Sequence, residues 1–155
     1  MKIISVLYLF FFTGFFIDGA KAQGLFDFGG EATTQYNRGK LEQDSGNFKE
    51  AVRWYKKAIE TEPRHYESYN NIGFIYGSNG YHRKAVEWYK KSIQVNPKFV
   101  QGLSNLGASY IELGKEKLAV DVLKKARVLD PESQLVANNY ATALLGVGRI
   151  EESIA

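Results

Sequence analysis

The chain is 155 residues long, with 45% apolar residues, 24% charged residues and a formal net charge of +3. This length and composition predict one modest folded domain and exclude an intrinsically disordered chain. Cysteine is absent, which excludes a disulfide framework, a thiolate zinc site and a cysteine nucleophile. The net charge is too small to favour nucleic acid as a partner.

The first 22 residues have the pattern of a secretory signal. Lys2 precedes an apolar run over residues 3–17, and Ala20 and Ala22 have the spacing that signal peptidase accepts. We expect cleavage after Ala22 and an exported protein, periplasmic or secreted, with the bacterial periplasm preferred. An uncleaved anchor is the alternative and the only expected route to a membrane. It is disfavoured because the run is shorter than the roughly 20 apolar residues that a bilayer requires.

The next segment, residues 23–31, contains three glycines and matches none of the columns described below. This composition predicts a flexible lead-in to the folded part of the chain. Docking of Leu25, Phe26 and Phe28 as an apolar cap is the alternative.

From residue 32 onward the sequence repeats with a period of 34. The only three prolines of the chain, Pro63, Pro97 and Pro131, are spaced by this period, which is typical of stacked-repeat proteins. Two columns of small residues keep the same period: Gly39, Gly73, Gly107 and Ala141, then Gly46, Gly80, Gly114 and Gly148. The period predicts repeats at 32–65, 66–99 and 100–133, and a partial repeat at 134–155.

Each unit has the pattern of two helices joined by a turn. Apolar residues recur at steps of three and four, as in Ile72, Ile75 and Tyr76. The glycine column that includes Gly80 is expected to end the first helix in the left-handed conformation, and the proline is expected to follow the end of the second helix. Small side chains such as Gly73 are expected to let the two helices approach closely.

The period and these columns resemble the tetratricopeptide repeat (TPR) family over residues 32–155. The resemblance implies an all-α, right-handed α-solenoid of stacked helix–turn–helix repeats that binds a protein or peptide partner. In that family the first helices of successive repeats line a concave groove. Self-association as a homo-oligomeric assembly subunit and an N-terminal regulatory region of a larger protein are the alternative functions.

One column on the face that the resemblance assigns to the groove contains only asparagine. A side-chain amide both donates and accepts hydrogen bonds, so a row of amides suits an extended peptide backbone of any sequence. Inherited repeat character, with amides satisfied locally or by water, is the alternative. The candidate partner-binding residues are Asn37, Asn71, Asn105, Asn139, Tyr36, Lys40, Asn70, Phe74 and Gln101.

Some members of the family clamp a terminal carboxylate between lysine, arginine and asparagine side chains. Asn71 matches that pattern, but Tyr36, Gln101 and Asn105 stand where basic residues are expected. The sequence therefore predicts that this kind of clamp is absent.

A column of paired lysines recurs on the second helices. Stacking would align the pairs into a basic stripe that attracts anions, although a solvated helix face is the more common meaning of such a column. The pairs are Lys56–Lys57, Lys90–Lys91 and Lys124–Lys125.

The chain lacks the sequence patterns of an active site. His65 and His82 have no neighbouring metal-ligand residues at suitable spacing, and no phosphate-binding loop or nucleophile motif occurs. We therefore expect no enzymatic activity, no metal and no cofactor.

Overall fold

The structure, a computed structural model, describes residues 30–149. The expected signal, most of the lead-in and the end of the partial repeat lie outside the described residues. The described range contains seven α-helices and no strand. They are α1 (Gly30–Asp44), α2 (Phe48–Thr61), α3 (Tyr66–Ser78), α4 (His82–Val95), α5 (Val100–Glu112), α6 (Glu116–Leu129) and α7 (Gln134–Gly146).

The helices stack as consecutive hairpins. Helices α1 and α2, α3 and α4, and α5 and α6 form packed pairs, and each second helix also packs on the first helix of the next pair. The expected all-α solenoid of helix–turn–helix repeats is thereby confirmed. Helix α1 begins at Gly30, so Gly30 and Glu31, which the sequence assigned to the lead-in, belong to the first helix. The carboxylate of Glu31 lies in the first turn, where the helix dipole favours negative charge.

The turns within the repeats share one hydrogen-bond pattern. The glycines at 46, 80, 114 and 148 have φ values between 64° and 78°, so the expectation of a left-handed residue after each first helix is confirmed. The amide three positions beyond the last helical residue closes the turn, as in the 2.9 Å bond from Tyr81 N to Tyr76 O. Such six-to-one bonds are the mark of the Schellman motif and occur at all four turns.

The glycines at 39, 73 and 107 allow the helices of a pair to approach. A Cβ atom built on Gly73 would lie 2.7 Å from Cε1 of Tyr89, and one built on Gly39 would lie 2.6 Å from the ring of Tyr55. Gly107 faces Leu123 in the same way. The close approach that the sequence predicted is therefore made between a glycine and a large side chain of the second helix.

No helix between residues 30 and 149 is long and apolar enough to cross a membrane.

Candidate functional site

The asparagine column lies along the first helices α1, α3, α5 and α7. Three of its amides donate a hydrogen bond to the residue 35 positions earlier, on the preceding first helix. Asn71 Nδ2 donates to Tyr36 OH at 3.4 Å, Asn105 Nδ2 to Asn70 Oδ1 at 3.1 Å, and Asn139 Nδ2 to Ser104 Oγ at 3.1 Å. Each of these bonds links two neighbouring first helices. We call this column of asparagines the amide row. We call the side of these four helices that carries the asparagine column the first-helix face.

The acceptors of two of these bonds are buried. Asn70 is 2% exposed and Ser104 is 1% exposed, and loss of the only partner of a buried polar atom costs about 1–3 kcal/mol. Asn70, a candidate partner-binding residue, thus acts within the stack as a partner of Asn105. Asn105 and Asn139 each use one N–H of an amide that has two N–H groups and an oxygen, so these two amides retain hydrogen-bonding capacity. The Asn71 amide is engaged within the stack, and its Oδ1 atom accepts from Asn70 Nδ2 at 3.3 Å.

The amide row continues into the core of the first repeat. Asn71 Nδ2 also donates to Tyr55 OH at 3.2 Å, and that hydroxyl donates to Gln43 Oε1 at 2.9 Å. Burial raises the pKa of Tyr55 to about 12, with the Asn71 hydrogen bond acting in the opposite direction. Tyr55 therefore stays neutral at physiological pH and remains a donor to Gln43. The ring of Tyr36 packs against Tyr55 and against His65, with a 4.8 Å separation of the centroids in the second pair.

The most exposed aromatic side chain on this face is that of Phe74. Its side chain is 47% exposed and lines a depression of about 260 Å³ together with Asn105, Ala108 and Glu112. Ala108 occupies the same column as Phe74 one repeat later, so its small side chain leaves room beside the ring. The structure thus brings two candidate residues together, Phe74 and Asn105. We call this depression the Phe74 pocket.

The other candidates lie outside the Phe74 pocket and differ in exposure. Asn37, Lys40 and Gln101 are exposed, while Tyr36 is half-buried by its ring contacts. Ala108 and Glu112 also line the pocket, although no sequence motif marks them as site residues. The repeat alignment offers a signal for Ala108, since a small residue beside a large one in the same column indicates a recess.

Comparisons with known proteins identify the repeats. A family model described as "TPR repeat" matches residues 39–80, and one described as "Tetratricopeptide repeat" matches residues 66–99. The chain belongs to the TPR family. Among curated proteins, no sequence matches it.

Solved TPR structures share the fold. The first TPR of Spaghetti (RPAP3), bound to the HSP90 peptide SRMEEVD, has a TM-score of 0.72 and 18% identity, over 76% of this chain and 93% of that one. The Sgt2 TPR domain from Aspergillus fumigatus has a TM-score of 0.71 and 19% identity, over 81% and 84%. MamA has a TM-score of 0.73 and 20% identity, over 86% and 78%. At these identities the similarity establishes the fold alone.

The charges of this TPR stack divide between its two sets of helices. The second helices α2, α4 and α6 carry net charges of +2, +3 and +2, a total of +7. The first helices α1, α3 and α5 carry −1 each, and α7 carries none, a total of −3. The first-helix face is thus the acidic side, and the second helices are strongly basic.

The paired lysines of the TPR second helices are all exposed. In the first two repeats one lysine of each pair lies over the tryptophan three residues earlier. Lys57 Nζ is 4.1 Å from the ring centroid of Trp54, and Lys91 Nζ is 4.4 Å from that of Trp88. The third repeat has Val122 in the tryptophan column, so these cation–π contacts are confined to the first two repeats.

His65 of the TPR domain lies near a serine and a carboxylate, as a catalytic histidine would. Its Nδ1 atom is 3.1 Å from Ser68 Oγ and 3.5 Å from Glu67 Oε2. A serine–histidine–acid relay needs a different ring nitrogen for each partner, whereas here one nitrogen faces both, and Ser68 is fully buried. Within residues 30–149, no group of three or more histidine, aspartate or glutamate side chains is placed to hold a metal ion.

Proposed function

We propose that the chain is an exported protein-interaction scaffold whose first-helix face binds an extended peptide segment of a partner protein. The observation that carries this proposal is the Phe74 pocket, where an exposed aromatic ring lies beside Asn105 of the amide row. The similar TPR structure that holds an HSP90 peptide supports the same class of ligand.

The amides and the Phe74 ring contribute to binding in different ways. Amides of the row hydrogen-bond a peptide backbone whatever its sequence, at about 1 kcal/mol per bond. Four such bonds would give only millimolar affinity. The additional affinity and the selectivity are supplied by an apolar ligand side chain packed on Phe74, since buried aromatic anchors dominate interface energetics.

The same face is poorly suited to a terminal carboxylate. Tyr36, Gln101 and Asn105 provide no positive charge there, and the first helices are acidic overall. The peptide SRMEEVD, with its acidic end, is therefore expected to bind weakly or not at all to the first-helix face.

Substitution of Phe74 tests the first-helix face directly. Peptides selected from a random display library against the full chain serve as ligands, and their affinities are measured by fluorescence polarisation. Phe74→Ala is expected to weaken binding about tenfold or more, because a central aromatic anchor contributes more than about 1 kcal/mol. Val128→Ala, which truncates a 74% exposed residue of the second helix α6, is the matched control and should leave the affinity unchanged.

The reverse outcome, in which Val128→Ala weakens binding and Phe74→Ala does not, would place the ligand on the second helices and refute the proposal. Asn71→Ala and Asn105→Ala are less suitable probes. Removing Asn105 leaves the buried Asn70 oxygen without its donor, and removing Asn71 takes a partner from Tyr55. Their effects on binding need correction for a loss of stability.

Export is part of the proposal and rests on the signal pattern of residues 1–22. Removal of the signal would leave Gln23 as the new N-terminus and a net charge of +2, since two lysines and one aspartate are lost. Expression in a Gram-negative host, fractionation and N-terminal sequencing test this directly. A chain recovered from the cytoplasm with Met1 or Lys2 at its N-terminus would contradict export.

A further inference from the structure

A second apolar recess lies between α2 and the turn that joins α3 to α4. It has a volume of about 370 Å³, a floor of Val52, Ile75 and Tyr76, and walls that include Phe48 and Tyr81. We call it the α2–α3 pocket. Tyr76 follows Asn71 by five residues, which places it about 140° around α3 from the amide row. The α2–α3 pocket is therefore separate from the first-helix face.

Aromatic side chains at this pocket are exposed to solvent. Phe48 is 41% exposed and Tyr81 is 59% exposed. The rings of Tyr76 and Tyr81 meet edge to face with centroids 6.4 Å apart. Large apolar groups gathered around a recess, rather than scattered singly over a surface, are typical of a binding site.

The pocket is a property of the first junction and not of the repeat in general. At the next junction the residues equivalent to Val52 and Tyr76 are Val86 and Tyr110, which are only 9% and 5% exposed. The first-junction residues are half-buried instead. The walls also change, because His82 and Lys115 replace Phe48 and Tyr81. Helices α2 and α3 accordingly pack less extensively than α4 and α5.

The rim of the pocket is basic. Lys49, Arg53 and Lys56 border it from α2, and Lys84 Nζ lies 5.5 Å from the centroids of both tyrosine rings. Glu50 pairs with Arg53 at 3.0 Å. Among the described residues no carboxylate forms an ion pair with Lys49 or Lys56, so these two charges are available to a ligand. Helices α2 and α4, which lie beside the pocket, carry net charges of +2 and +3.

We propose that the α2–α3 pocket binds an acidic peptide segment that presents one large apolar side chain. The apolar floor receives that side chain, and the lysines of the rim pair with flanking carboxylates. The volume is at the low end of the range for ligand pockets, about 300–1,000 Å³, and suits one aromatic or branched aliphatic side chain. The binding is independent of the proposed first-helix function, so either can fail without the other.

The test uses three fluorescein-labelled peptides and the full chain in fluorescence polarisation. Asp-Glu-Phe-Glu-Asp is expected to bind saturably, and both Asp-Glu-Ala-Glu-Asp and Lys-Lys-Phe-Lys-Lys at least about tenfold more weakly. Lys49→Glu with Lys56→Glu should weaken the first peptide about tenfold or more. Arg83→Glu with Lys90→Glu is the matched control, because it reverses the charges at the same two columns one repeat later. It should change the affinity less than about twofold.

Three results would overturn the proposal. The first is the absence of saturable binding. The second is an equal loss of affinity in the Arg83/Lys90 variant, which would indicate a diffuse basic surface. The third is a loss of affinity in Phe74→Ala, which would assign the peptide to the first-helix face. Circular dichroism checks that each variant keeps its helicity. If the glutamate pair unfolds the chain, Lys49→Gln with Lys56→Gln replaces it and is expected to weaken binding at least threefold.

Discussion

Gly73→Ala is expected to lower the free energy of unfolding by about 1–3 kcal/mol, whereas Gly77→Ala in the same helix is expected to raise it by up to about 1 kcal/mol. A Cβ atom on Gly73 would approach two ring carbons of Tyr89 at 2.7 and 2.8 Å. Tyr89 is 3% exposed, so its ring has little space into which it can move. A Cβ atom on Gly77 would lie 3.6 Å from the Cβ atom of Ala85, which is an ordinary van der Waals contact.

Comparison of the two variants separates the effect of packing on stability from that of helix propensity, because both changes replace a glycine of α3 by alanine, the strongest helix former. Urea unfolding followed by circular dichroism at 222 nm gives both free energies on one scale. Equal stabilities of the two variants would show that the approach of α3 to α4 at Gly73 is not tight. A Gly73→Ala variant as stable as the parent chain would lead to the same conclusion.

The fold could be predicted because its determinants recur at a fixed spacing. Gly80 and Pro97 each mark a helix end through the backbone conformation they impose or permit, and this effect is local in sequence. Repetition at 34 residues then turns a weak local signal into a strong one. The predicted first repeat begins two residues after the start of α1, because residues 30 and 31 lie outside the repeat columns. A glycine followed by an acidic residue is also a weak signal of a helix start.

The first-helix site could be predicted only in part, because the amide row depends on contacts between repeats. Asn105 donates to Asn70 rather than to Asn71, an offset of 35 residues and not 34. A column alignment compares equivalent positions and therefore overlooks pairs that lie one position apart. It also treats Asn70 as accessible, although its neighbours bury it. Phe74 was identified, but the recess beside it depends on the size of Ala108 in the next repeat.

The α2–α3 pocket was missed for a different reason. Phe48 begins the second helix α2 and Tyr81 precedes the second helix α4. Single apolar residues are common at such positions and do not indicate a pocket. Only the difference between junctions, with His82 and Lys115 at the equivalent places, distinguishes the first junction. The division of charge between first and second helices was readable once the helices had been assigned, whereas the total charge of +3 conceals it.

Leu123→Ala is expected to lower the free energy of unfolding by about 2–5 kcal/mol. The side chain is fully buried and packs among Leu106, Tyr110 and Leu144, so truncation removes apolar contacts and leaves a cavity. Such a loss is a large part of the roughly 5–15 kcal/mol that stabilises a typical domain. Val128→Ala in the same helix is the control, and its change should stay within about 0.5 kcal/mol because Val128 is 74% exposed.

A double-mutant cycle with Gly107 connects this loss to the approach of α5 and α6. The Cβ of Gly107→Ala would collide with the Leu123 side chain, so the change should destabilise the parent chain. In the Leu123→Ala background the colliding atoms are gone, and the added methyl group fills part of the cavity while favouring the helix. Gly107→Ala is then expected to stabilise, with a coupling energy of at least about 1 kcal/mol. Additivity within about 0.5 kcal/mol would show that Gly107 and Leu123 do not contact each other closely, and that the glycine column does not set the separation of the paired helices.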